Sequence, residues 1–487
     1  MTFGARQQPY SDMFSIQRLL IPTLAACASA SLLSGQGAVD SIYQQHCAVC
    51  HGAEMDGGLG GSLLTPELTY GDHPNILARI IREGLPDDGM QAFKDELSEE
   101  EIHSLVVYIR ERRAQELDDR GPRTVEDDRE IYETETHRYE LEVVAETSGE
   151  IWGMDFLPSG DIVFTEKEGN LRILRTDGTV SDPIEGLPEV WHRGQGGLME
   201  VALHPDYDEN GWVYLSYSEA APGDRGRGLT TVARGRIVDH EWTDHETIWR
   251  ADESFYSSAR HHFGTRIVFQ DGYLFFTIGD RGDMDESQNL ASPNGNTFRI
   301  YDDGRIPEDN PFVGQDDALP EIWSYGHRNA QGMDIHPETG VIWQTEHGPR
   351  GGDELNRIDR GLNYGWPVIS YGINYNGRPI TDLTEKEGME QPVIDWTPSI
   401  AVCGIAFYTG ERFPEWKNNL FVGGLAAQAL HRVVLDGDEA VHEEVILRDR
   451  GRIRDVANGS DGYLYLAINV TRHEGRSEIV RLKPVND

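Results

Sequence analysis

Two cysteines and a histidine in one short stretch have the spacing to hold a metal-bearing group. Cys47 and Cys50 are separated by two residues, and His51 follows directly. C-x-x-C-H is the attachment motif of c-type haem, because two thiols three positions apart reach the two vinyl groups while the adjacent imidazole binds the iron. A thioredoxin-like redox pair is the alternative, but no alternation of strands and helices surrounds this motif. The motif therefore predicts a covalently bound haem c.

The iron of such a haem also needs a ligand on its opposite face, and a methionine thioether is a common one. Met55 lies only four residues after His51 and does not easily cross to the other face. Met90 lies well downstream, in the loop of residues 87–93. We therefore assign Met90 as the sixth ligand. A Met90 that only fills the core is the competing interpretation.

Helical patterns surround the haem motif. Residues 39–45 have apolar helical spacing, and Ser98 and Glu101 have the spacing of a capping box. The following helix carries an apolar stripe of Ile102, Leu105, Val106 and Ile109. Over their full length, residues 39–113 resemble a class I cytochrome c, which is a small all-α domain.

Separate polar stretches recur farther along the chain. They are residues 193–198, 260–266, 324–329, 346–356, 363–367 and 452–455. Together they offer an imidazole that could act as a base, arginines that hold carboxylates through two hydrogen bonds, and oxygens suited to a hard cation. A ligand with three carboxylates fits this set. For any single stretch, a surface arginine paired with one of the many acids is the competing interpretation.

A repeated pattern indicates which elements position these stretches. A turn carrying Gly, Asp or Asn is followed six times by an apolar, aromatic-rich run, in residues 158–164, 208–214, 270–276, 337–343, 416–422 and 460–466. A spacing of roughly 50–75 residues suits four-stranded blades with loop insertions, although the hairpins of a β-sandwich use similar turns. Helical periodicity is nearly absent after residue 115. We predict an all-β six-bladed β-propeller behind the small all-α N-terminal cytochrome c domain.

Charge and composition exclude some partners and divide the chain. The 487 residues carry 43 Lys and Arg against 84 Asp and Glu, a net charge of −41. So acidic a chain is not expected to bind nucleic acid or an anionic membrane surface, because both need positive charge. Residues 114–138 are charged and poor in large apolar side chains, which predicts a linker or an ordered surface extension. The propeller is then expected over residues 139–487.

The N-terminus has the features of an export signal over residues 1–38. Arg18 precedes the apolar run of residues 19–33, which contains several small residues. The sequence Leu-Ala-Ala-Cys ending at Cys27 also has the form of a lipoprotein signal, in which Cys27 carries a lipid. We expect an exported, periplasmic protein that is soluble or tethered to a membrane through Cys27. No other segment reaches the ~18 apolar residues of a membrane span.

At the polar stretches the resemblance becomes specific. The order and the sequences of these stretches resemble those of the soluble glucose dehydrogenases and aldose sugar dehydrogenases that depend on pyrroloquinoline quinone (PQQ). The resemblance extends over residues 140–485. The resemblance implies a six-bladed propeller with His262 as the catalytic base and Asp280 as the acid that supports it. Spacing to Arg266 favours His262 over its neighbour His261. The implied contacts with PQQ are Gln195, Arg328, Asn329, Ser399, Arg452 and Arg454, of which Arg328 also polarises the reacting carbonyl.

The resemblance also implies two calcium sites. Backbone carbonyls of Gly348 and Pro349 match the ligands of the catalytic calcium. Glu354 and Tyr364 match a second, structural calcium site, and the ten-residue interval between them agrees with the family.

The implied reaction oxidises the anomeric carbon of an aldose to a lactone, with hydride passing to PQQ and electrons passing to the fused haem and then to a downstream acceptor. Ala426 stands where the family's glucose dehydrogenases place a lysine on the quinone, and Val402 and Cys403 stand where the family commonly has Pro and Ser. The substrate loops are also short, so glucose itself is not the favoured sugar. A calcium-dependent hydrolase or lactonase, and a binding propeller without activity, are the alternatives. The first has no use for a haem, and the second would be expected to lose the base and the arginines.

Overall fold

The computed structural model describes residues 37–117, 123–126, 130–470 and 476–485. The export signal predicted over residues 1–38 lies outside these ranges, except for residues 37 and 38, which begin the first helix. Cys27 lies outside them as well. Among the described residues, no helix is both long and apolar enough to cross a membrane.

The N-terminal region is helical. Its helices are α1 (Gly37–His46), α2 (Ala48–His51), α3 (Pro74–Glu83) and α4 (Glu99–Leu117), with a 3-10 turn at Pro86–Asp88. The predicted capping box at the start of α4 is confirmed, since Glu101 N donates to Ser98 Oγ (3.2 Å) and Ser98 N donates to Glu101 Oε2 (2.9 Å). The predicted apolar stripe of α4 is buried in one cluster with residues of α1 and α3.

Strands dominate the rest of the described chain. They are β1 (Arg123–Glu126), β2 (Glu130–Glu133), β3 (Arg138–Thr147), β4 (Ile151–Phe156), β5 (Ile162–Glu166), β6 (Asn170–Leu174), β7 (Leu198–Leu203), β8 (Val213–Ala221), β9 (Asp224–Val238), β10 (Glu241–Arg250), β11 (Ile267–Gln270), β12 (Tyr273–Ile278), β13 (Asn296–Tyr301), β14 (Ile322–Tyr325), β15 (Ala330–Ile335), β16 (Ile342–Glu346), β17 (Asp353–Ile358), β18 (Ile394–Trp396), β19 (Val402–Phe407), β20 (Leu420–Gly424), β21 (Leu430–Asp436), β22 (Glu439–Leu447), β23 (Arg452–Asn458), β24 (Leu464–Asn469) and β25 (Ser477–Pro484). Short helical turns interrupt them at Tyr207–Asn210 (α5), Glu253–Phe255, Met284–Gln288 and Pro414–Trp416.

These strands form the six-bladed propeller that the repeats predict. Antiparallel sheets follow one another along the chain as β4–β6, β7–β10, β11–β14, β15–β18 and β19–β22, and the last sheet has the order β1-β2-β3-β25-β24-β23. The six repeats lead into β5, β8, β12, β16, β20 and β24, which are the second strands of their sheets. A second strand has a partner on each side and packs against neighbouring sheets on both faces. This burial explains why its sequence is the most apolar of each blade.

Strands from both ends of the propeller sequence close the ring. In the last sheet β3 pairs with β25, with Leu141 opposite Leu482 and Val143 opposite Val480. Residues 114–138, expected to be a linker or an ordered extension, contain the end of α4 and the strands β1 and β2, and β2 pairs with β3. This segment therefore extends the closing sheet.

Aromatic side chains fill the space between neighbouring sheets. Phe276 and Phe298 stack with ring centroids 4.8 Å apart, and Trp249 of the preceding sheet packs 5.2 Å and 5.1 Å from them. Phe413 stacks on Trp416 at 4.3 Å in the same way near the closing sheet. With the core held between the blades, the loops at the strand ends are left to form a site.

Candidate active site

Strand ends from several sheets meet at a cavity of about 510 Å³. Gln195 lies just before β7, His347 just after β16, and Arg452 begins β23. Strands β7 and β23 are the first strands of their sheets, and β16 is a second strand. Because neighbouring strands are antiparallel, the start of a first strand and the end of a second strand lie on the same side of the ring. The cavity therefore lies at one end of the ring. Its lining includes Glu150, Trp152, Lys167, Gln195, Gln331, His347, Leu425, Arg452, Arg454 and Arg476. The structure thus brings three of the predicted PQQ contacts, Gln195, Arg452 and Arg454, into one cavity.

The cavity is rich in cations held around one carboxylate. Arg454 Nη2 donates to Glu150 Oε1 (3.2 Å), and Lys167 pairs with Glu150 Oε2. Burial alone would raise the pKa of Glu150, but Arg454 and Lys167 lower it on balance. Arg454 Nε is buried and has no hydrogen-bond partner among the described residues. Several cations that line one cavity fit a ligand that carries several carboxylates.

His262 and Asp280 form the predicted pair beside this cavity. His262 Nδ1 lies 2.5 Å from Asp280 Oδ1, and the backbone N of His262 donates to Gln195 Oε1 (2.7 Å). Asp280 Oδ1 also accepts from Gly282 N (2.7 Å), and Oδ2 accepts from Trp366 Nε1 (2.9 Å). With Nδ1 engaged by Asp280, the proton of neutral His262 resides on Nδ1 and the lone pair of Nε2 is left for a substrate. The His262 side chain is 14% exposed, which leaves access to that atom.

The electrostatics of the pair suit a base. Burial, supported by the charge of Arg328, lowers the pKa of His262 to about 4, although the bond to Asp280 opposes this shift. Burial would raise the pKa of Asp280, but His262 and Arg328 hold it below its usual value. At neutral pH the pair is therefore an uncharged imidazole and a carboxylate. The neighbouring ring of His261 packs edge-on at 4.7 Å and forms no hydrogen bond to Asp280 among the described residues.

Arg328 and Asn329 lie deeper than the cavity lining. Arg328 Nη1 donates to the carbonyl oxygens of His347 and Gly348, both at 2.9 Å, and Arg328 Nε is buried without a partner among the described residues. Asn329 Oδ1 accepts from Gly264 N (3.1 Å), next to the base. Arg328 thus contacts the loop of residues 347–353, and the adjacent Asn329 contacts the loop of His262. Together these two neighbours link the two loops.

The loop of residues 347–353 carries the predicted ligands of the catalytic calcium. A Cβ on Gly348 would lie 2.2 Å from the carbonyl oxygen of Gly352, so this tight turn requires glycine. Gly348 N and Ser399 Oγ both donate to Asp353 Oδ1, at 2.9 Å and 2.7 Å. Ser399 is therefore bonded to Asp353, where it helps to fix the turn, and it is not among the residues that line the cavity. The carbonyls of Gly348 and Pro349 are oxygens of the kind that calcium prefers.

The predicted second calcium site contains two neighbouring carboxylates, that of the buried Glu346 and that of the half-buried Glu354. Asn356 Nδ2 donates to Glu354 Oε2 and to Glu346 Oε1, both at 3.0 Å. Burial and the proximity of Glu346 raise the pKa of Glu354 well above its usual value. Asn356 Oδ1 is buried without a donor among the described residues. Two close carboxylates and an unused amide oxygen fit a hard cation.

Tyr364 offers only its backbone carbonyl to this second site. Its phenol donates to Arg357 O (2.5 Å) and accepts from Asp359 N (2.9 Å). No group of three or more His, Cys, Asp or Glu side chains could hold a metal in the part of the chain that the structure describes. A calcium ion would therefore depend on backbone oxygens in the first site, and in the second site on backbone and amide oxygens in addition to the two carboxylates.

The haem motif lies at the end of α1 and in α2. Cys47 and Cys50 are half-buried free thiols. His51 Nδ1 lies 2.8 Å from Gly61 O, which orients the ring and leaves Nε2 for the iron. Met90 is half-buried beside the apolar cluster, whereas Met55 is 1% exposed within it. The thiols, the oriented imidazole and a thioether in a loop fit a c-type haem.

Two contributors to the site were missed in the sequence. Lys167 lines the cavity. The feature of the sequence that points to it is that lysines are few in this chain and arginines are many. Trp366 orients Asp280 from 86 residues away, and only its place in a polar stretch pointed to it.

Comparisons with known proteins address both regions. The family described as Glucose / Sorbosone dehydrogenase matches residues 149–480, and the family described as Cytochrome C oxidase, cbb3-type, subunit III, matches residues 37–109. The aldose sugar dehydrogenase YliI of Escherichia coli (strain K12) is 41% identical over 353 residues, which cover 71% of this chain and 93% of that protein. The apo form of the soluble aldose sugar dehydrogenase from Escherichia coli is similar with a TM-score of 0.68 at 40% identity, over 71% of this chain and 100% of that one. The PQQ-bound aldose sugar dehydrogenase from Streptomyces coelicolor has a TM-score of 0.58 at 26% identity, over 71% and 98%.

Proposed function

Because the chain belongs to the glucose/sorbosone dehydrogenase family and carries a cytochrome c domain, we propose that it is a quinohaemoprotein that oxidises the anomeric carbon of an aldose to a lactone. PQQ is the proposed hydride acceptor, calcium its partner ion, and haem c the next electron carrier. The observation that carries this proposal is the hydrogen bond between His262 and Asp280 beside a cavity lined by three arginines and Lys167.

In the proposed reaction the cofactors take up the electrons, and His262 and Asp280 handle the proton. When bound, PQQ would accept the hydride, calcium would polarise the carbonyl that receives it, and haem would take the two electrons one at a time and pass them to a downstream acceptor. His262 Nε2 takes the proton of the anomeric hydroxyl while the hydride leaves the anomeric carbon, so that the C–O single bond becomes the lactone carbonyl. The carboxylate of Asp280 stabilises the imidazolium that forms.

Binding and orientation come from the other residues. Arg452, Arg454 and Gln195, which line the cavity, would hold the carboxylates of the cofactor, and Arg328, which donates to Gly348 O, would contact its reacting carbonyl. Substrate enters on the side where His262 is exposed. Since His262 is neutral at physiological pH, it is ready to accept the substrate proton, and the imidazolium that forms must release this proton before the next turnover.

We also propose that the protein acts outside the cytoplasm, in the periplasm, either free or tethered by a lipid on Cys27. The signal-like N-terminus and the haem-attachment motif support this location. Fractionation of cells that produce the full chain, with and without Cys27→Ser, tests it. Release of the variant from the membrane fraction supports the tether, and a cytoplasmic location of both proteins contradicts the proposal.

The function is tested on the purified full chain with haem attached. PQQ and calcium are added, a panel of aldoses follows, and haem reduction is recorded in a stopped-flow spectrometer together with reduction of an artificial dye. We expect sugar-dependent haem reduction with a first-order rate that does not depend on protein concentration. No reduction of dye or haem by any aldose, or hydrolysis of a lactone without any reduction, contradicts the proposal.

A further inference from the structure

Helix α4 of the cytochrome domain has a second buried face. His103, Val107, Arg110 and Glu111 follow the i, i+4, i+7, i+8 spacing of one helical face, apart from the stripe that packs on α1. His103, Val107 and Glu111 are 7%, 1% and 8% exposed, yet none belongs to the apolar cluster of the domain itself. Another part of the chain must cover this face.

The propeller covers it through two reciprocal ion pairs. Arg110 donates from Nη1 and Nη2 to both carboxylate oxygens of Asp395 in β18, at 2.9 Å and 3.1 Å. From the other side, Arg350 Nε donates to both oxygens of Glu111 at 3.0 Å, and Nη2 donates to Oε2 at 2.6 Å. His103 Nε2 lies 3.4 Å from the carbonyl oxygen of Gly372.

These contacts are mostly removed from water. The side chains of Arg110 and Asp395 are 18% and 14% exposed, and those of Arg350 and Glu111 are 13% and 10% exposed. Removing one member of such a pair leaves a largely buried charge without its partner, which is far more costly than the loss of a surface pair. The two pairs therefore define one orientation of the domain.

The surface under α4 is the outer side of the active-site loop. A Cβ on Gly351 would lie 3.4 Å from Val107 Cγ1, so the helix packs on the backbone of this turn. The same loop supplies the carbonyls of His347 and Gly348 that accept from Arg328. One short turn thus contacts the cytochrome domain on one side and the candidate site on the other.

A long insertion makes a second connection. Residues 359–393, between β17 and β18, contain Gly372, which contacts α4, and Trp366, which donates to Asp280. Thr384 of the same insertion donates to Asn75 Oδ1 at the start of α3 (3.2 Å). The insertion therefore holds the cytochrome domain and orients the pair of His262 and Asp280.

We propose that the cytochrome domain is docked against the loop of residues 347–353, fixed by the pairs Glu111–Arg350 and Arg110–Asp395, and that this docking is required for rapid reduction of the haem. The electron-transfer part rests on the proposed function, and the docking part does not. In a docked pair, each electron moves over a fixed distance within one molecule. A domain that moves freely on a tether would instead have to find the propeller before each transfer, with a rate that depends on viscosity.

The test uses Glu111→Arg in the full chain, which places like charge against Arg350. We expect amide hydrogen exchange in α4 to become at least tenfold faster without any added PQQ. With PQQ, calcium and sugar, haem reduction should become at least tenfold slower, while dye reduction stays within twofold. Glu116→Arg makes the same charge change on the exposed end of α4 and serves as the matched control. Adding Arg350→Glu to Glu111→Arg should restore slow exchange.

Each outcome decides one part of the proposal. Exchange and haem reduction equal to those of Glu116→Arg would refute docking. If amide exchange becomes faster in Glu111→Arg but the rate of haem reduction does not change, the wild type is docked as proposed, and the role of docking in electron transfer is refuted. If Glu111→Arg loses haem or fails to fold, the milder Glu111→Gln is compared by the same two measurements. Failure of the wild type to reduce both dye and haem would refute the proposed function, and the exchange data would still decide the docking.

Discussion

Replacing Asp280 by asparagine tests the chemistry assigned to the site. Asp280 uses both oxygens as acceptors, Oδ1 for His262 and Gly282 N, and Oδ2 for Trp366 Nε1. An amide has one acceptor oxygen, so its NH2 group must face either the N–H of Gly282 or that of Trp366. One buried donor is then unpaired, which costs about 1–3 kcal/mol of folding stability. The variant should still fold, with a lower melting temperature.

The kinetic effect should be much larger than the effect on stability. If the NH2 group of the new asparagine donates to Nδ1 of His262, the histidine proton moves to Nε2 and the base is lost. If the amide oxygen stays at Nδ1 instead, the negative charge that stabilises the imidazolium is still gone. Either way we expect Asp280→Asn to lower kcat by about 10²–10⁴-fold. Trp366→Phe keeps the carboxylate and removes only one of its donors, so it should lose less than tenfold.

The pH profile separates this explanation from a simple shift of pKa. A His262 pKa of about 4 means that kcat/KM of the wild type stays level above about pH 5 and falls as the pH drops through 4, because only the neutral ring accepts a proton. Asp280 raises this pKa through its hydrogen bond, so Asp280→Asn moves the acid limb to lower pH. High pH therefore cannot restore the activity. The assay is dye-linked sugar oxidation with PQQ and calcium at saturating levels. An Asp280→Asn enzyme within threefold of the wild type at neutral pH would refute the reasoning.

Three further changes have defined outcomes. Met90→Ala should keep the covalent haem but change its absorption spectrum and lower its reduction potential; an effect from Met55→Ala alone would reassign the ligand. His262→Ala should lower turnover by about 10²–10⁴-fold while PQQ titration of the protein still saturates, and a comparable loss only in His261→Ala would identify the neighbour as the base. Calcium should raise the melting temperature of the wild type, as binding at 100 times Kd adds about 2.7 kcal/mol per site, and Glu354→Gln should reduce this increment by the share of the second site; an unchanged increment in differential scanning calorimetry would remove Glu354 from that site.

The sequence revealed the propeller through its second strands and little else. In β16 and β20 every residue is buried, so apolar runs between turns stand out. In an outer strand such as β22 only the last two residues are buried and the strand contains three glutamates, so its sequence resembles a loop. The short first strands facing the channel carry glycine and polar residues, as in Gly332 of β15, so they also lack an alternating pattern. Counting blades was therefore possible from the sequence, but tracing every strand was not.

Within the site, local spacing located the residues and distant contacts determined their roles. His262 and Asp280 are 18 residues apart in neighbouring loops of one blade, close enough for motif spacing to associate them. The resemblance implies a quinone contact for Ser399, and local sequence does not reveal that its hydroxyl donates to Asp353, 46 residues away. The pairing of Glu111 with Arg350 spans 239 residues, and no pattern of one helix specifies its partner on another domain. Such contacts depend on how blades and domains pack.

Under the proposed function, the cavity must bind PQQ although alanine stands at position 426, where the resemblance leads one to expect a lysine. A ligand with several carboxylates responds to the total field of the cavity rather than to one lysine, so a cation from another blade can take that place. Lys167, at the end of β5, lines the same cavity and is held by Glu150, which also binds Arg454. Without a bound ligand the two cations would repel each other across the cavity, and Glu150 offsets that repulsion. A ligand carboxylate that enters must share these cations with Glu150, so this one acid links the electrostatics of the empty cavity to its affinity for the cofactor.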